Sequence, residues 1–437
     1  MNAYNARNMF GLTIILMVTV ACSSARPLMP VPNVYRGQTA EQVFADVPEN
    51  WHQSQMKLMY ATDREPRENK DGSFGYGSGR SASLAFGSAT VEIKGDPSWE
   101  EFAALSLESN RPKKLEMHMG DITEESRLPP TPHPAVYVDG KIKFTPKRLA
   151  EAHEIEAVMN ARVSKILAET PRKEVVIYIH GYNNDFTDAA YQLAELWHFL
   201  GRKHLPVLYT WPAGHEGISG IRGYNYDRES SEFTIYHLKQ FLKSLGRMDE
   251  IEKIHIIAHS RGTDVLVSAL REIFLEIRAE GKDPKTELRI ANVILAAPDI
   301  DYEVILQRVV AEHTVAGVRQ ATVYTSPGDK AIRISEWLYG SLARIGHLGS
   351  NEVKSRLTQE QIDYVEENSS IKFIEFKGKS DKVGHGYFSS NGAVSSDLIT
   401  LINTGARAGS PERPLIHRGA IYWVIEDGYP FIGSTAD

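Results

Sequence analysis

Apolar residues along this chain form short continuous runs, and each run is followed by a stretch with helical spacing. A continuous run such as Val175–Ile179 is typical of a strand that is buried on both faces in a parallel sheet. Strand–helix alternation repeated this often predicts βαβ units, and hence an α/β fold with a doubly wound, mostly parallel sheet and helices on both faces. The predicted pairs are strands 175–179, 205–209, 254–257, 290–296, 321–325 and 371–376, with helices 186–203, 231–246, 262–279, 302–313, 329–345 and 393–403.

The pattern before residue 175 is less regular. Residues 56–62 and 81–93 have the composition of strands, and residues 147–169 carry apolar positions at helical spacing. The alternating glycines of 73–79 predict a flexible loop, and the charged, proline-containing stretch 95–135 predicts an irregular excursion. Near the end of the chain, 420–425 is a further strand candidate.

The N-terminus has the pattern of a targeting segment. Residues 10–21 are uncharged and, apart from two threonines, apolar, but the run is short for a membrane-spanning helix. Small residues lead into Cys22, which resembles a bacterial lipoprotein signal in which the cysteine becomes the lipid-bearing N-terminus. An uncleaved anchor or plain secretion is the alternative. We therefore expect a signal at 1–22, a proline-containing tether at 23–50, a folded domain at 51–405 and a C-terminal extension at 406–437.

Composition narrows the possible functions. The chain has 437 residues, with 49 Lys and Arg against 56 Asp and Glu, a net charge of −7. This balance is poor for nucleic-acid binding, which needs clustered cations. The single cysteine excludes an internal disulfide and a thiolate metal site. No motif indicates a cofactor or a metal, so we expect none.

Ser260 is the candidate nucleophile. It lies in Ala258-His259-Ser260-Arg261-Gly262, between a predicted buried strand and a predicted helix. The segment resembles the nucleophile elbow of α/β-hydrolases, where small residues two positions before and after the serine allow strand and helix to approach. The backbone N–H of Arg261 is then a candidate oxyanion donor.

A second strand end supplies the other candidate donor. The run Ile179-His180-Gly181-Tyr182-Asn183 ends the strand at 175–179. In α/β-hydrolases a backbone N–H after a His-Gly pair completes the oxyanion hole. We assign this donor to Tyr182, with Asn183 as the neighbouring option, and expect His180 to be a structural hydrogen-bonding residue.

The serine needs a base, and the base needs a carboxylate. In this fold the expected chain order is serine, acid, histidine. His385, between glycines after the last buried strand, is the favoured base, with His347 as its rival. Asp329 and Asp299 each follow a strand and compete for the acid, with Asp329 favoured. The alternative role for the losing acid is a helix N-cap, a position that Asp299 or Asp301 would suit.

Together these segments, with Ala296-Ala297-Pro298-Asp299-Ile300-Asp301 and the early Tyr60-Ala61-Thr62-Asp63-Arg64, resemble the α/β-hydrolase superfamily over roughly 50–405. More narrowly, they are similar to uncharacterised bacterial esterase- or lipase-like members, some with lipoprotein signals. The resemblance implies a triad of Ser260, Asp329 and His385. The chain departs from the superfamily pattern at Ala258, where glycine is commoner, and at Arg261, where a smaller or apolar residue is common. We expect Arg261 to form a salt bridge at the surface; a bias of the pocket toward anionic substrates is the alternative.

These observations predict a serine hydrolase that cleaves small-molecule or lipid carboxylic esters and is held in the bacterial envelope by lipid on Cys22. A peptidase or amidase would use the same residues. A non-catalytic envelope protein built on the hydrolase scaffold is the third possibility.

Overall fold

The computed structural model describes residues 25–215, 217, 220–338, 343–346, 358–360, 363, 370–379, 383–419 and 422–431. Most of its strands form one 12-stranded sheet in the order β1-β4-β3-β2-β8-β7-β9-β10-β11-β12-β14-β13, and β5 and β6 form a separate hairpin. The strands are β1 (Arg26–Pro27), β2 (Met56–Glu68), β3 (Phe74–Ile93), β4 (Glu116–Arg127), β5 (Ala135–Val138), β6 (Lys141–Phe144), β7 (Glu174–Ile179), β8 (Leu205–Thr210), β9 (Lys253–His259), β10 (Ile290–Ala296), β11 (Gln320–Thr325), β12 (Ile371–Phe376), β13 (Ile416–His417) and β14 (Tyr422–Ile425).

The centre of the sheet is parallel, from β2 through β8, β7, β9, β10, β11 and β12 to β14. Antiparallel pairs complete both ends. The carboxyl ends of the parallel strands therefore meet along one edge, where such sheets carry their sites.

Helices cover the sheet. They are α1 (Ala40–Val43), α2 (Trp99–Ser106), α3 (Pro146–Glu169), α4 (Phe186–Phe199), α5 (Gly220–Gly246), α6 (Gly262–Ala279), α7 (Pro284–Leu288), α8 (Tyr302–Ile305), α9 (Lys330–Leu338), α10 (Tyr387–Ser390) and α11 (Gly392–Thr404). Successive residues of β7 enter different cores: Val175 and Ile177 pack with α3, α5 and α6, whereas Val176 and Tyr178 pack with α4 and α11. A strand buried on both faces must be apolar at every position, which explains the continuous runs.

The predicted βαβ pattern is confirmed for most elements. Strand 290–296 and helix 262–279 have the predicted bounds, and most other boundaries differ by a few residues. Three helices differ more. α5 begins at Gly220, and the predicted helix at 302–313 is α8 followed by a π-helical stretch over Leu306–Ala311. Of the helix predicted at 329–345, α9 covers Lys330–Leu338, and residues 343–346 are not helical.

Two predictions before residue 175 are wrong. The glycine-rich segment 73–79 is not a flexible loop but the start of β3, a strand of 20 residues paired with both β2 and β4. The segment 95–135 is not irregular, because it contains α2 and β4. In β4, polar residues alternate on the less buried face. The strand forms because it pairs with β3, and the hydrophobicity of a single sequence does not reveal such pairing.

The predicted tether is also wrong for residues 26–47. Leu28, Met29, Val43 and Phe44 are buried, and β1 pairs with β4. The side chain of Arg26 forms an ion pair of 2.6 Å with the buried Glu195 of α4. This arm is thus part of the folded domain. Cys22 and the proposed signal lie outside the described residues.

The predicted C-terminal extension joins the same sheet. β14 pairs in parallel with β12, and the buried Arg413 forms a bidentate pair with Asp397 of α11. Within the described ranges, no helix has the length and apolar character needed to cross a membrane.

Candidate active site

Ser260 lies in a strained turn between β9 and α6. Its φ is 52°, in the left-handed region that non-glycine residues rarely adopt. The Ser260 N–H donates to the carbonyl of Ala296 at the end of β10, at 2.9 Å. The turn therefore places the serine at the carboxyl edge of the sheet, as the elbow resemblance predicts.

Two glycines allow the elbow to pack. A Cβ on Gly181 would lie 2.7 Å from the Cβ of Ser260. A Cβ on Gly262 would meet the carbonyl oxygens of His180 and Ile179, the latter at 2.9 Å. No larger residue fits either position without movement of backbone, and the loop after β7 lies directly against the serine as a result.

His385 and Asp329 are brought together by the loops after β11 and β12. Nδ1 of His385 donates to Oδ2 of Asp329 at 2.7 Å, and the carboxylate is fully buried. The other carboxylate oxygen accepts from the N–H of Ile332 at 3.1 Å. Lys330 N–H donates to the carbonyl of Val383, so the acid loop also holds the histidine loop. An ionised carboxylate only accepts, so Nδ1 carries the proton and Nε2 is left as a base.

His259 connects this pair to the elbow. Its ring packs against the ring of His385 with centroids 4.7 Å apart, and its Nε2 lies 3.3 Å from the His385 carbonyl oxygen. Burial, followed by the nearby His385, holds the pKa of His259 well below the usual histidine value. A neutral ring beside Ser260 therefore positions the loop that carries the candidate base.

The competing acid has other partners. The Asp299 carboxylate accepts from the Tyr224 hydroxyl and, at 2.9 Å, from the Ser335 hydroxyl. The helix N-cap expected for the losing acid is formed by Asp301, which accepts from the N–H groups of Glu303 and Val304. The rival base, His347, lies outside the described residues.

Comparison with known proteins assigns the family. Residues 155–403, more than half of the chain, match the model of a family described as alpha/beta hydrolase of unknown function (DUF900). The chain belongs to this family. The superfamily resemblance is thereby confirmed, and the match includes the elbow and the His385–Asp329 pair. A search of curated proteins finds no match.

In this α/β-hydrolase the loop after β7 supplies the candidate oxyanion donors. The Asn183 N–H donates to Oδ2 of Asp227 at 2.8 Å, so that N–H is already engaged. Asn183 itself has a φ of 55°, which gives the loop a tight turn after Tyr182. This geometry favours the N–H of Tyr182 over that of Asn183 as the donor.

The side chain of Arg261 is directed into the protein. Its Nη2 forms an ion pair of 2.9 Å with Asp264 of α6, and its Nε donates to the Ser231 hydroxyl of α5 at 3.2 Å. The expected salt bridge is present, but the Arg261 side chain is buried and not at the surface as predicted. The backbone N–H of Arg261 lies at the start of α6, where the helix dipole favours negative charge.

Arg64 stabilises the loop after β7, which carries the candidate oxyanion donors. In the sequence, Arg64 was noted only as part of the family resemblance. Its fully buried guanidinium donates to the carbonyl of Asn184 at 2.7 Å and to the carbonyl of Ala213 at 2.9 Å. It also donates to the hydroxyl of Thr210 at 2.8 Å. Burial lowers the pKa of Arg64 to about 10, so the cation persists at neutral pH. One side chain thus joins β2 to the loops after β7 and β8.

Asp227 of α5 also stabilises the loops after β7 and β8, through hydrogen bonds to their backbone. It accepts from the N–H of Asn183 and, at 3.1 Å, from the N–H of Gly214. Burial raises the pKa of Asp227 to about 6, although both amides act in the opposite direction. Because Asp227 is distant in sequence from the loop after β7, no local sequence pattern indicates this role.

His180 is a structural residue, as expected. It is fully buried, stacks on Trp211 and accepts the Trp211 N–H at Nε2, 3.1 Å away. Burial, followed by the charge on Arg64, holds its pKa well below the usual value. The ring therefore stays neutral and fixes the β7 and β8 loops to each other.

Proposed function

We propose that this α/β-hydrolase is a serine hydrolase that cleaves carboxylic esters through Ser260, His385 and Asp329. The observation that carries the proposal is the His385–Asp329 hydrogen bond beside a serine with a φ of 52°. A buried carboxylate, an imidazole whose Nδ1 is bound to that carboxylate and a strained serine are the parts that nucleophilic acyl transfer needs.

In the proposed reaction, Nε2 of His385 takes the Ser260 hydroxyl proton as Oγ attacks the ester carbonyl. The backbone N–H groups of Tyr182 and Arg261 stabilise the resulting oxyanion. His385 then protonates the leaving alcohol, and water, activated by the same imidazole, releases the acid from Ser260. Asp329 holds the Nδ1 proton in place and stabilises the imidazolium.

The doubly wound arrangement belongs to the same proposal. Core residues on both faces of β7 and the parallel order of the central strands support it. It would bring all the proposed residues to one edge, because each follows the carboxyl end of a strand.

We further propose that the protein is a lipoprotein of the bacterial envelope, anchored by lipid on Cys22. The sequence before Cys22 supports this location. Cys22→Ser should abolish incorporation of a palmitate analogue in cells, and the neighbouring Ser23→Ala should not. Equal incorporation into both variants would exclude lipid at Cys22.

The catalytic proposal is tested with a fluorophosphonate probe and short-chain p-nitrophenyl esters. The wild type should label once and hydrolyse the esters, and Ser260→Ala should do neither. Ser268→Ala, a buried serine of α6 outside the site, is the matched control and should retain both activities. Probe labelling of Ser260→Ala at the wild-type rate would refute the assignment.

A matched pair of an ester and an amide of the same acid separates the esterase from the peptidase reading. Faster turnover of the amide would replace the ester proposal with an amidase. A folded wild type that neither labels nor hydrolyses any substrate would point to a non-catalytic scaffold.

A further inference from the structure

Three ligand-type side chains meet at the edge of the sheet opposite Ser260. Glu174 begins β7, His204 immediately precedes β8, and His255 is the third residue of β9. In the register of these strands Val175 pairs with Leu205, and Val176 pairs with His255. The amino ends of three adjacent parallel strands therefore carry two imidazoles and a carboxylate, although no local sequence motif contains them.

Their atoms have the spacing of a metal site. Oε2 of Glu174 lies 3.1 Å from Nε2 of His255 and 3.4 Å from Nε2 of His204. One ligand atom from each residue lies within 4.8 Å of the other two. Zinc–ligand bonds of about 2.0–2.1 Å at tetrahedral angles separate neighbouring ligand atoms by about 3.3 Å. Both measured separations from the carboxylate are close to this value.

The imidazole of His204, unlike its backbone carbonyl, is without a hydrogen bond among the described residues. It is fully buried, and within the described residues neither Nδ1 nor Nε2 has a hydrogen-bond partner. Its Nε2 faces Oε2 of Glu174 at 3.4 Å without hydrogen-bonding geometry. Buried polar atoms are almost always paired, so two unpaired ring nitrogens beside a carboxylate indicate a partner that the described side chains do not supply.

The surroundings leave Oε2 available. Lys253 binds the other oxygen, Oε1, at 2.6 Å, and Arg172 lies 3.6 Å from Oε2. Both cations are partly exposed and can turn toward solvent. The Asn292 amide lies 2.8 Å from Nδ1 of His255. If the Asn292 amide is turned so that its oxygen faces that nitrogen, the oxygen accepts a hydrogen bond from Nδ1–H and leaves Nε2 to bind the metal. This is the usual outer-shell arrangement of a metal-bound histidine.

We propose that Glu174, His204 and His255 bind one divalent first-row transition-metal ion, with Zn²⁺ as the best match. Two imidazoles and a carboxylate are a ligand set that zinc accepts, and the fourth position would hold water. The site lies at the opposite end of the strands from the proposed nucleophile. Its role is therefore to join the amino ends of β7, β8 and β9, and it does not depend on the esterase proposal.

The test measures metal binding directly. The full chain is stripped with a chelator, dialysed against Zn²⁺ and assayed by mass spectrometry, and Co²⁺ is used as a spectroscopic probe. We expect about one Zn²⁺ per chain, a higher melting temperature with Zn²⁺, and a tetrahedral Co²⁺ absorption band. His204→Asn and Glu174→Gln should each lower Zn²⁺ affinity at least tenfold.

His198→Asn is the matched control. His198 is fully buried and, among the described residues, both its ring nitrogens also lack hydrogen-bond partners, but it lies among Phe44 and Phe102. It should bind Zn²⁺ as the wild type does. Lys253→Gln, which removes a competing cation, should bind Zn²⁺ more tightly. If the folded wild type binds no Zn²⁺ or Co²⁺, the three residues form a buried polar cluster only and the proposal is wrong, whatever the stability of the variants. Probe labelling of Ser260 reports separately on the esterase proposal.

Discussion

The side chains of Asp329 and His385 are joined in the candidate active site by a hydrogen bond of 2.7 Å between Oδ2 and Nδ1. The two residues belong to loops after different strands, and the Lys330–Val383 backbone hydrogen bond holds these loops together. Because Asp329 is fully buried, its charge is compensated mainly by hydrogen bonds within the protein. The pair is therefore expected to act as a unit.

We predict that Asp329→Asn lowers kcat for ester hydrolysis about 10³–10⁴-fold with little change in KM. The amide can donate to Nδ1, which would move the imidazole proton to Nε2 and remove the base. Steady-state kinetics with p-nitrophenyl acetate measure this loss.

Asp299→Asn is the matched control, because Asp299 is equally buried and also follows a strand of the sheet. It should change kcat less than tenfold, since its partners among the described residues are Tyr224, Ser335 and, at 3.6 Å, Arg344, and do not include His385. A larger loss in Asp299→Asn than in Asp329→Asn would reverse the assignment of the acid.

Replacement of Arg64 should impair catalysis from outside the triad. Arg64→Lys keeps the charge but cannot reach the carbonyls of Asn184 and Ala213 together with the Thr210 hydroxyl. We expect kcat to fall roughly 10- to 100-fold because the loop after β7 would no longer hold the proposed oxyanion donor in place. Fluorophosphonate labelling should slow in parallel. Arg67→Lys, at the more exposed end of β2, should have no such effect. An unchanged kcat in folded Arg64→Lys would show that the loop keeps its position without this brace.

Much of the fold and part of the site could be predicted from the sequence. Strands such as Val175–Ile179 are apolar because both faces are covered, and this signal is local. The turn at Ser260 could also be predicted, because the strand, the small residues and the helix follow one another directly in the sequence. The choice of Asp329 over Asp299 depended on strand order, and the observed partners of the two carboxylates favour the same choice.

The rest depends on contacts between distant segments. The arm that contains Arg26 looked like a tether because its prolines have no period, yet it is held by an ion pair to Glu195. Arg64 and Asp227 each reach loops far away in sequence, so their roles appear only when the strands are assembled. Hydrophobic periodicity reports burial but does not identify a polar partner.

Close packing at the elbow gives a stability prediction. Gly262→Ala should lower the free energy of unfolding by about 3 kcal/mol, because the new Cβ meets backbone carbonyls that cannot rotate away. Gly428→Ala, where a Cβ meets no atom of the described residues within 4 Å, is the control and should change stability by less than about 0.5 kcal/mol. Urea unfolding followed by circular dichroism measures both. Equal stability of the two variants would mean that the strand and helix can separate at the elbow at little cost.

The buried Asp227 predicts a pH-dependent stability difference. Burial raises its pKa from 3.8 to about 6, so the folded state holds this proton more tightly than the unfolded chain does. Native stability from this group is therefore greatest below about pH 4 and is lost as the pH rises to about 6. The shift of about two pKa units corresponds to at most about 3 kcal/mol.

Asp227→Asn removes this titration. Relative to the wild type, the variant should gain about 1–3 kcal/mol between pH 4.5 and pH 7.5, because only the wild type must ionise a buried carboxylate over that range. Its kcat should nevertheless fall, since a neutral amide oxygen holds the N–H groups of Asn183 and Gly214 more weakly. Asp249→Asn, at an exposed position after α5, should show no change in relative stability with pH. Urea unfolding of the three proteins at both pH values measures the effect. If the difference in unfolding free energy between the wild type and Asp227→Asn does not change with pH, Asp227 is already ionised at pH 4.5 in the folded protein.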